Sequence, residues 1–86
     1  MNNGMKSVKI LLFATLRDYV GSRSVEVSIP DGMTVKGLTD MLVETYPRLL
    51  KVKDSMLTAI NRVYAADDLV IPDNAEIAFF PPVSGG

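Results

Sequence analysis

The chain has 86 residues, of which 48% are hydrophobic and 22% charged, as is typical of one folded globular domain. Nine basic and ten acidic residues give a net charge of -1, and the absence of a clustered basic face argues against nucleic acid as a partner. The sequence contains neither cysteine nor histidine, which excludes disulfides and thiolate or imidazole catalysis and argues against a metal site.

The first third of the chain predicts two strands. Residues 1–6 are interpreted as a flexible N-terminus, and the nearly continuous apolar run Val8–Thr15 predicts a central strand buried on both faces. Arg17–Gly21 predicts one helical turn that ends at glycine, and the alternation of Ser24–Ile29 predicts a strand with one solvated face. Since no segment approaches the roughly 20 apolar residues of a membrane span, we expect a cytoplasmic protein that does not bind membranes.

An amphipathic helix is predicted after the turn at Pro30–Gly32. Thr34 is placed to cap its N-terminus, and Pro47 ends it. Gly37 lies inside this helix at a cost of about 1 kcal/mol relative to alanine, for which the sequence offers no reason. One side of the helix carries an apolar stripe that is expected to pack on the sheet: Val35, Leu38, Met41, Leu42 and Tyr46.

The rest of the chain predicts three more strands. Leu57–Asn61 is one strand, Asn61–Arg62 is a turn, and Val63–Tyr64 is a short edge strand. Glu76–Phe80 is the last strand, because Pro81-Pro82 cannot donate to a sheet. The first and last strands are the most apolar, so we expect them to lie side by side at the centre.

This order of elements predicts an α+β fold of the ubiquitin-like β-grasp type. A mixed sheet of four to five strands is expected, with one main helix packed across it. The domain is predicted to span residues 7–80, and residues 81–86 are predicted to form an extended C-terminal tail. At about 3.3 Å per residue, such a tail reaches roughly 20 Å from the body.

The terminal carboxylate is the reactive group that remains once thiol, imidazole and phosphate-loop chemistry are excluded. Gly85 and Gly86 have no Cβ atoms, so they suit passage through a narrow channel into another protein's active site. A carboxylate is a poor acyl donor until it becomes a mixed anhydride such as an acyl-adenylate. We therefore expect the chain to serve as a substrate for an ATP-using partner rather than as a catalyst by itself.

The sequence resembles the small, sulfur-carrying subunit of molybdopterin synthase, often called the MoaD family. The likeness is carried by the first strand and turn, Val8–Gly21, by Ala59–Asn61, and by the closing segment Glu76–Gly86. The helical region, roughly residues 35–54, matches in pattern more than in residues.

This resemblance implies a chemical role for Gly86. A ubiquitin-activating-type enzyme would adenylate its carboxylate, and a sulfur donor protein would supply the sulfur of a thiocarboxylate. The chain would then donate that sulfur, within the large synthase subunit, to a cyclic pyranopterin monophosphate. The family implies two small and two large subunits, no permanently bound cofactor, and catalytic groups on the large subunit.

The resemblance also assigns partner-binding residues. An apolar patch beside the tail corresponds to Phe13, Tyr64 and Phe80, although Tyr64 replaces the aliphatic residue common in the family. Ordinary packing is the alternative, because one member of each pair Leu12/Phe13 and Phe79/Phe80 must face away from the helix, and the sequence leaves open which. Arg17 is assigned either an ionic contact with a partner or a solvated position. The remaining partner-binding residues form the start of the tail: Pro81, Pro82, Val83, Ser84 and Gly85.

Three other functions are compatible with the same ending. A sulfur carrier for thiazole synthesis also ends in two glycines, but its members are usually shorter and lack the Phe-Phe-Pro-Pro-Val segment. A ubiquitin-like modifier would join Gly86 to lysines of target proteins. A non-covalent β-grasp interaction module would keep its function without Gly85 and Gly86.

Overall fold

The computed structural model of the chain describes residues 4–82. Their secondary structure comprises five strands, two α-helices and one 3₁₀ helix. In chain order these are β1 (Met5–Leu12), α1 (Thr15–Val20), β2 (Ser24–Pro30), α2 (Val35–Thr45), the 3₁₀ helix Pro47–Ser55, β3 (Leu57–Ile60), β4 (Val63–Tyr64) and β5 (Glu76–Phe80).

The five strands form one mixed sheet in the order β2-β1-β5-β3-β4. β1 and β5 pair in parallel, whereas the other neighbours are antiparallel. The first and last strands are therefore adjacent at the centre, as the sequence predicted. This topology, with α2 as the longest helix, confirms the α+β β-grasp expectation.

The hydrophobic core lies between one face of the sheet and the helices. Phe79 and Ile77 of β5 are fully buried, and Leu38 and Leu42 of α2 are at most 1% exposed. The core extends to other buried apolar side chains: Val8, Ile10, Leu12, Leu16, Ile29, Val35, Leu49, Ile60, Ile71 and Ala75. Among residues 4–82, no helix has the length and apolarity needed to cross a membrane.

The start of α2 follows the predicted cap. The Thr34 hydroxyl accepts a hydrogen bond from the Gly37 N–H at 3.2 Å, which satisfies one of the free amides of the first turn. The structure also supplies a reason for glycine at position 37. A Cβ there would lie 3.2 Å from Cγ of Met33, so the small residue lets the Met33 side chain pack closely against the helix.

The structure differs most from the sequence prediction at the two ends of β1 and in the segment after Pro47. β1 begins at Met5, two residues before the predicted domain start, and ends at Leu12 rather than Thr15. It begins early because Met5 pairs with Pro30 in the sheet. After Pro47 the chain does not run as a simple connection but forms the 3₁₀ helix, since Leu49 inserts into the core.

Candidate functional site

The candidate site lies on the sheet face opposite α2. Alternation along β5 directs Phe79 into the core and leaves Phe80 half-buried on the other face. At the end of β1, Leu12 is buried and Phe13 is half-buried. The pairs that the sequence left open are thus decided: Phe13 and Phe80 are the members that face away from the core.

Phe13, Phe80 and Tyr64 form an aromatic cluster on this face. The rings of Phe13 and Phe80 stack with their centroids 4.7 Å apart and their planes within 10°. Tyr64 of β4 meets Phe80 edge-on, at 6.4 Å between centroids and 67° between planes. Both geometries are favourable for aromatic pairs. Tyr64 nevertheless remains 71% exposed, so the cluster presents apolar surface to the outside.

Arg17 of α1 packs against this cluster. Its Nε donates a hydrogen bond to the Leu12 carbonyl at 3.1 Å, and its guanidinium carbon lies 6.0 Å from the centroid of the Phe13 ring. That distance is at the limit of a cation–π contact. Arg17 is therefore held beside the cluster.

The backbone between Phe13 and Arg17 has an unusual conformation. Ala14 has φ 53° and ψ -130°, a region that L-residues rarely occupy because Cβ clashes with the backbone. The peptide flanks are held on both sides, since the Phe13 N–H donates to the Phe79 carbonyl and the Arg17 N–H to the Ala14 carbonyl. This strained turn redirects the chain from β1 into α1 and so sets Phe13 and Arg17 side by side.

The aromatic cluster forms one part of a groove of about 360 Å³. We call it the aromatic groove. Sequence reasoning missed its other residues, although two of them could be found by stepping two residues back along the strand from Phe13 to Leu11 and from Phe80 to Ala78. The groove is lined by eight side chains: Leu11, Phe13, Ala59, Arg62, Tyr64, Glu76, Ala78 and Phe80.

Small side chains let the groove sink into the sheet. Ala59 and Ala78 are cross-strand partners on β3 and β5, and Ala59 is 7% exposed although it lies outside the main core. The flanking aromatic rings rise above these two alanines. An apolar side chain from a partner would therefore meet a recess with aromatic walls rather than a flat surface.

The model of the ThiS family matches residues 10–86, which include every residue of the aromatic groove. The chain belongs to the ThiS family.

Curated relatives of this ThiS-family chain are named molybdopterin synthase sulfur carrier subunits. The protein from Dictyostelium discoideum is 38% identical over 91% of the chain and 94% of the relative. The Escherichia coli protein is 37% identical over 92% of the chain and 99% of the relative. The Arabidopsis thaliana protein is 34% identical over 92% of the chain and 82% of the relative. These matches confirm the resemblance to the synthase small subunit.

Solved structures place the chain among ubiquitin-like folds. SAMP1 from Haloferax volcanii is 35% identical with a TM-score of 0.80, over 93% of this chain and 99% of that one. A Pyrococcus furiosus protein described as putative molybdopterin converting factor, subunit 1, gives a TM-score of 0.83 over 91% of this chain and 99% of that one at 24% identity, which supports the fold alone. The β-grasp assignment is confirmed by these similarities.

The predicted tail residues are only partly described. Pro81 is half-buried and Pro82 exposed, directly after Phe80 at the end of β5. The other four, Val83, Ser84, Gly85 and Gly86, lie outside the described residues. The chain therefore leaves the central strand β5 after Phe80, at the edge of the aromatic groove.

A separate group of charges lies away from this groove, on the helical side of the sheet. Asp40 of α2 forms an ion pair with Lys53 of the 3₁₀ helix at 2.6 Å and a second one with Lys36 at 3.3 Å. The hydrogen bond from Lys53 is the main cause that lowers the pKa of Asp40 below its usual value, and the same contact raises the pKa of Lys53. This group ties the 3₁₀ helix to α2 and is structural.

Proposed function

We propose that the chain is the sulfur carrier subunit of molybdopterin synthase and that Gly86 carries the sulfur. Relatives of that name match the chain over nearly their whole length at up to 38% identity. The observation that carries the proposal is the position of the aromatic groove at the end of β5. A partner bound in the groove would sit within reach of the six residues that follow, which span at most roughly 20 Å.

The proposed chemistry takes place at the terminal carboxyl group. A carboxylate oxygen of Gly86 attacks the α-phosphate of ATP on a ubiquitin-activating-type enzyme, and pyrophosphate leaves. Sulfur at the oxidation level of sulfide, supplied by a donor protein, then displaces AMP from the acyl carbon and leaves a thiocarboxylate. In the large subunit the thiocarboxylate sulfur attacks a side-chain carbon of the cyclic pyranopterin monophosphate and displaces an oxygen substituent, so that a C–S bond replaces a C–O bond. Water then cleaves the acyl C–S bond and restores the Gly86 carboxylate, and a second carrier repeats the step to complete the dithiolene.

The residues of this chain indicate which groups it supplies to the reaction and which the large subunit must supply. The aromatic groove offers binding surface, and its ionisable side chains, Arg62, Tyr64 and Glu76, lie in the body of the domain rather than on the tail. We propose that the large subunit supplies the groups that bind the pterin and transfer protons. The complete enzyme would contain two small and two large subunits.

Intact-mass spectrometry tests the first half of this proposal. The purified chain is incubated with ATP, its activating enzyme and a sulfur donor, and one terminal oxygen should be exchanged for sulfur. A chain that lacks Gly86 is the matched control and should not change in mass. If the intact chain accumulates only as conjugates on lysines of other proteins, it is a modifier and the sulfur-carrier proposal is wrong.

Reconstitution with the large subunit tests the second half. Each thiocarboxylated chain should donate one sulfur, so two chains should be consumed for each cyclic pyranopterin monophosphate that is converted to molybdopterin. Deletion of Gly86 should abolish this conversion while the urea midpoint of the domain stays unchanged, because the deleted residue lies beyond β5. Undiminished molybdopterin formation by the deletion variant would contradict the role assigned to the tail.

Protein modification is the second candidate function. It is favoured by the similarity to SAMP1 from Haloferax volcanii, because a second structure of that protein is described as small archaeal modifier protein 1. Both functions begin with adenylation of Gly86, so the products separate them: a free thiocarboxylate for the carrier and an isopeptide bond for the modifier. Sulfur transfer to a thiazole precursor is distinguished in the same assay by supplying the thiazole synthase in place of the large subunit.

A further inference from the structure

The turn between β3 and β4 has an arginine where the backbone favours glycine. Asn61 and Arg62 form the two-residue loop of the hairpin, with φ values of 52° and 72°. Positive φ at both central positions is the feature of a type I′ turn, for which Asn-Gly is the preferred pair. Asn61 fits this preference. Arg62 does not, and its left-handed backbone costs about 1 kcal/mol or more.

The neighbouring asparagine explains how the turn is held. The Asn61 N–H donates to the Glu76 carbonyl at 2.8 Å, and the Asn61 Oδ1 accepts from the Glu76 N–H at 2.9 Å. These two bonds fix the hairpin to β5. Among the side-chain hydrogen bonds and ion pairs of residues 4–82, none involves the Arg62 guanidinium. Arg62 therefore contributes no interaction of this kind that offsets its backbone cost.

Arg62 lies instead at one end of the aromatic groove. It lines the groove together with Glu76 and Tyr64. β5 runs from Glu76 to Phe80, so Arg62 marks the end of the groove that is farther from the C-terminal tail. A partner side chain seated between the aromatic rings would have this guanidinium at its far side.

We propose that Arg62 is a recognition residue for the large subunit, and that it pairs with a carboxylate next to the apolar side chain that fills the groove. This inference rests on the proposed function. Docking removes water from the rim of the groove, and an arginine left unpaired there weakens binding. A guanidinium only donates hydrogen bonds, and its planar fork matches a carboxylate. The ion pair with the partner's acidic residue is thus the function that we assign to the strained Arg62.

Glu76 is the carboxylate within the chain that could compete for Arg62. No ion pair joins the two side chains in the structure. In the sheet Glu76 lies directly opposite Lys9 of β1. We therefore assign the carboxylate that pairs with Arg62 to the partner.

The large subunit is the partner we assign to this contact. A subunit interface holds its partners together for longer than the encounter between an activating enzyme and its substrate does. The relatives that match the chain are named as subunits of a synthase, so the partner that shares a lasting interface with the groove is the other subunit.

The test uses the full chain and the large subunit of the same synthase, with affinity measured by calorimetry and stability by thermal unfolding. Arg62→Gly should raise the melting temperature, since it relieves the positive φ, while it weakens large-subunit binding by about tenfold. Arg62→Gln should weaken binding to a similar extent. Lys51→Gln removes a positive charge from the exposed surface of the 3₁₀ helix and should leave the affinity unchanged.

Salt dependence separates a charge contact from a change of shape. The affinity gap between the natural chain and Arg62→Gln should narrow as ionic strength rises, because salt screens the ion pair at the rim. If Arg62→Gly and Arg62→Gln bind the large subunit as tightly as the natural chain, Arg62 is a tolerated turn residue and the inference is wrong. If the two substitutions weaken binding to the activating enzyme and not to the large subunit, the assignment to the large subunit is wrong. If the natural chain itself fails to bind the large subunit, the proposed function fails instead.

Discussion

Phe79 and Phe80 are neighbours in sequence with opposite expected roles, and substitution of each by alanine separates stability from binding. Phe79 is fully buried, and truncation of such a side chain costs about 3–5 kcal/mol. A domain of 86 residues has a total stability of about 4–13 kcal/mol at 0.05–0.15 kcal/mol per residue. Phe79→Ala should therefore lower the melting temperature by roughly 10–40 °C, at about 4–8 °C per kcal/mol for a domain of this size.

Phe80→Ala should leave most of this stability in place. Phe80 is half-buried on the open face, and its ring stacks on Phe13 at 4.7 Å. Loss of an aromatic pair costs about 0.5–1.5 kcal/mol beyond the buried area, and a half-buried ring loses about half of the roughly 1.5–3 kcal/mol of a fully buried one, so we expect a total of about 1–3 kcal/mol. Binding is affected more strongly, because Phe80 also contacts Tyr64 and walls the groove. An aromatic hot spot of about 2 kcal/mol corresponds to roughly thirtyfold weaker binding.

The assay measures urea unfolding of both variants and calorimetric binding of the large subunit at a temperature where each is folded. The expected result is a crossed pattern: Phe79→Ala is unstable but binds normally while folded, and Phe80→Ala is nearly stable but binds weakly. The reasoning is refuted if Phe80→Ala destabilises the domain as much as Phe79→Ala does. It is also refuted if Phe80→Ala binds the large subunit with unchanged affinity.

Three further predictions concern the stability of the domain. Ala14→Gly should raise the free energy of unfolding by about 1 kcal/mol, because glycine tolerates positive φ; a loss on urea unfolding would contradict the strain at that turn. Gly37→Ala should raise the free energy of unfolding of the natural chain, but by less than the helix-propensity difference of about 1 kcal/mol, since the new Cβ would crowd Met33 at 3.2 Å. In a Met33→Ala background the same substitution should give the full increase. Equal increases in both backgrounds would exclude the crowding. The pKa of Asp40 is lowered in the folded chain, so the charged carboxylate stabilises the fold at pH values above the ordinary pKa of aspartate. This contribution is lost as the pH falls through the lowered pKa. Lys53→Met should therefore flatten the acid limb of the stability profile below about pH 4, and an unchanged profile would show that this contact does not couple to folding.

The sheet could be predicted from the sequence because its two central strands carry the strongest apolar signal. β5 was predicted with the bounds that the structure gives, since Pro81 cannot donate to a ladder and the turn residues at positions 72–74 precede the strand. The Asn61–Arg62 turn and the two-residue β4 were predicted as well. These features depend on local chemistry, which periodicity and turn residues report directly.

The groove was less accessible to sequence reasoning because it depends on register between strands. Phe13, Tyr64 and Phe80 were assigned to a patch only through the family resemblance, and which aromatic of each pair faces outward was undecided. Ala59 and Ala78 were not singled out at all, since a small residue acquires meaning only when its cross-strand partner is also small. The Ala14 turn was missed for a related reason: alanine gives no signal of positive φ, and the conformation is imposed by bonds on both sides of it.

The position of β5 links the stability of the domain to presentation of its C-terminus. β5 is paired on both sides, in parallel with β1 and antiparallel with β3, so it is among the last elements expected to open by local unfolding. The same strand carries Phe79 into the core and Phe80 onto the groove, one residue apart. A partner that binds the groove is therefore held against a strand that is paired on both sides, and the direction in which the chain leaves Phe80 is set by the sheet. Preorganisation of this kind reduces the entropy lost on docking, which suits the sulfur-carrier role that we propose.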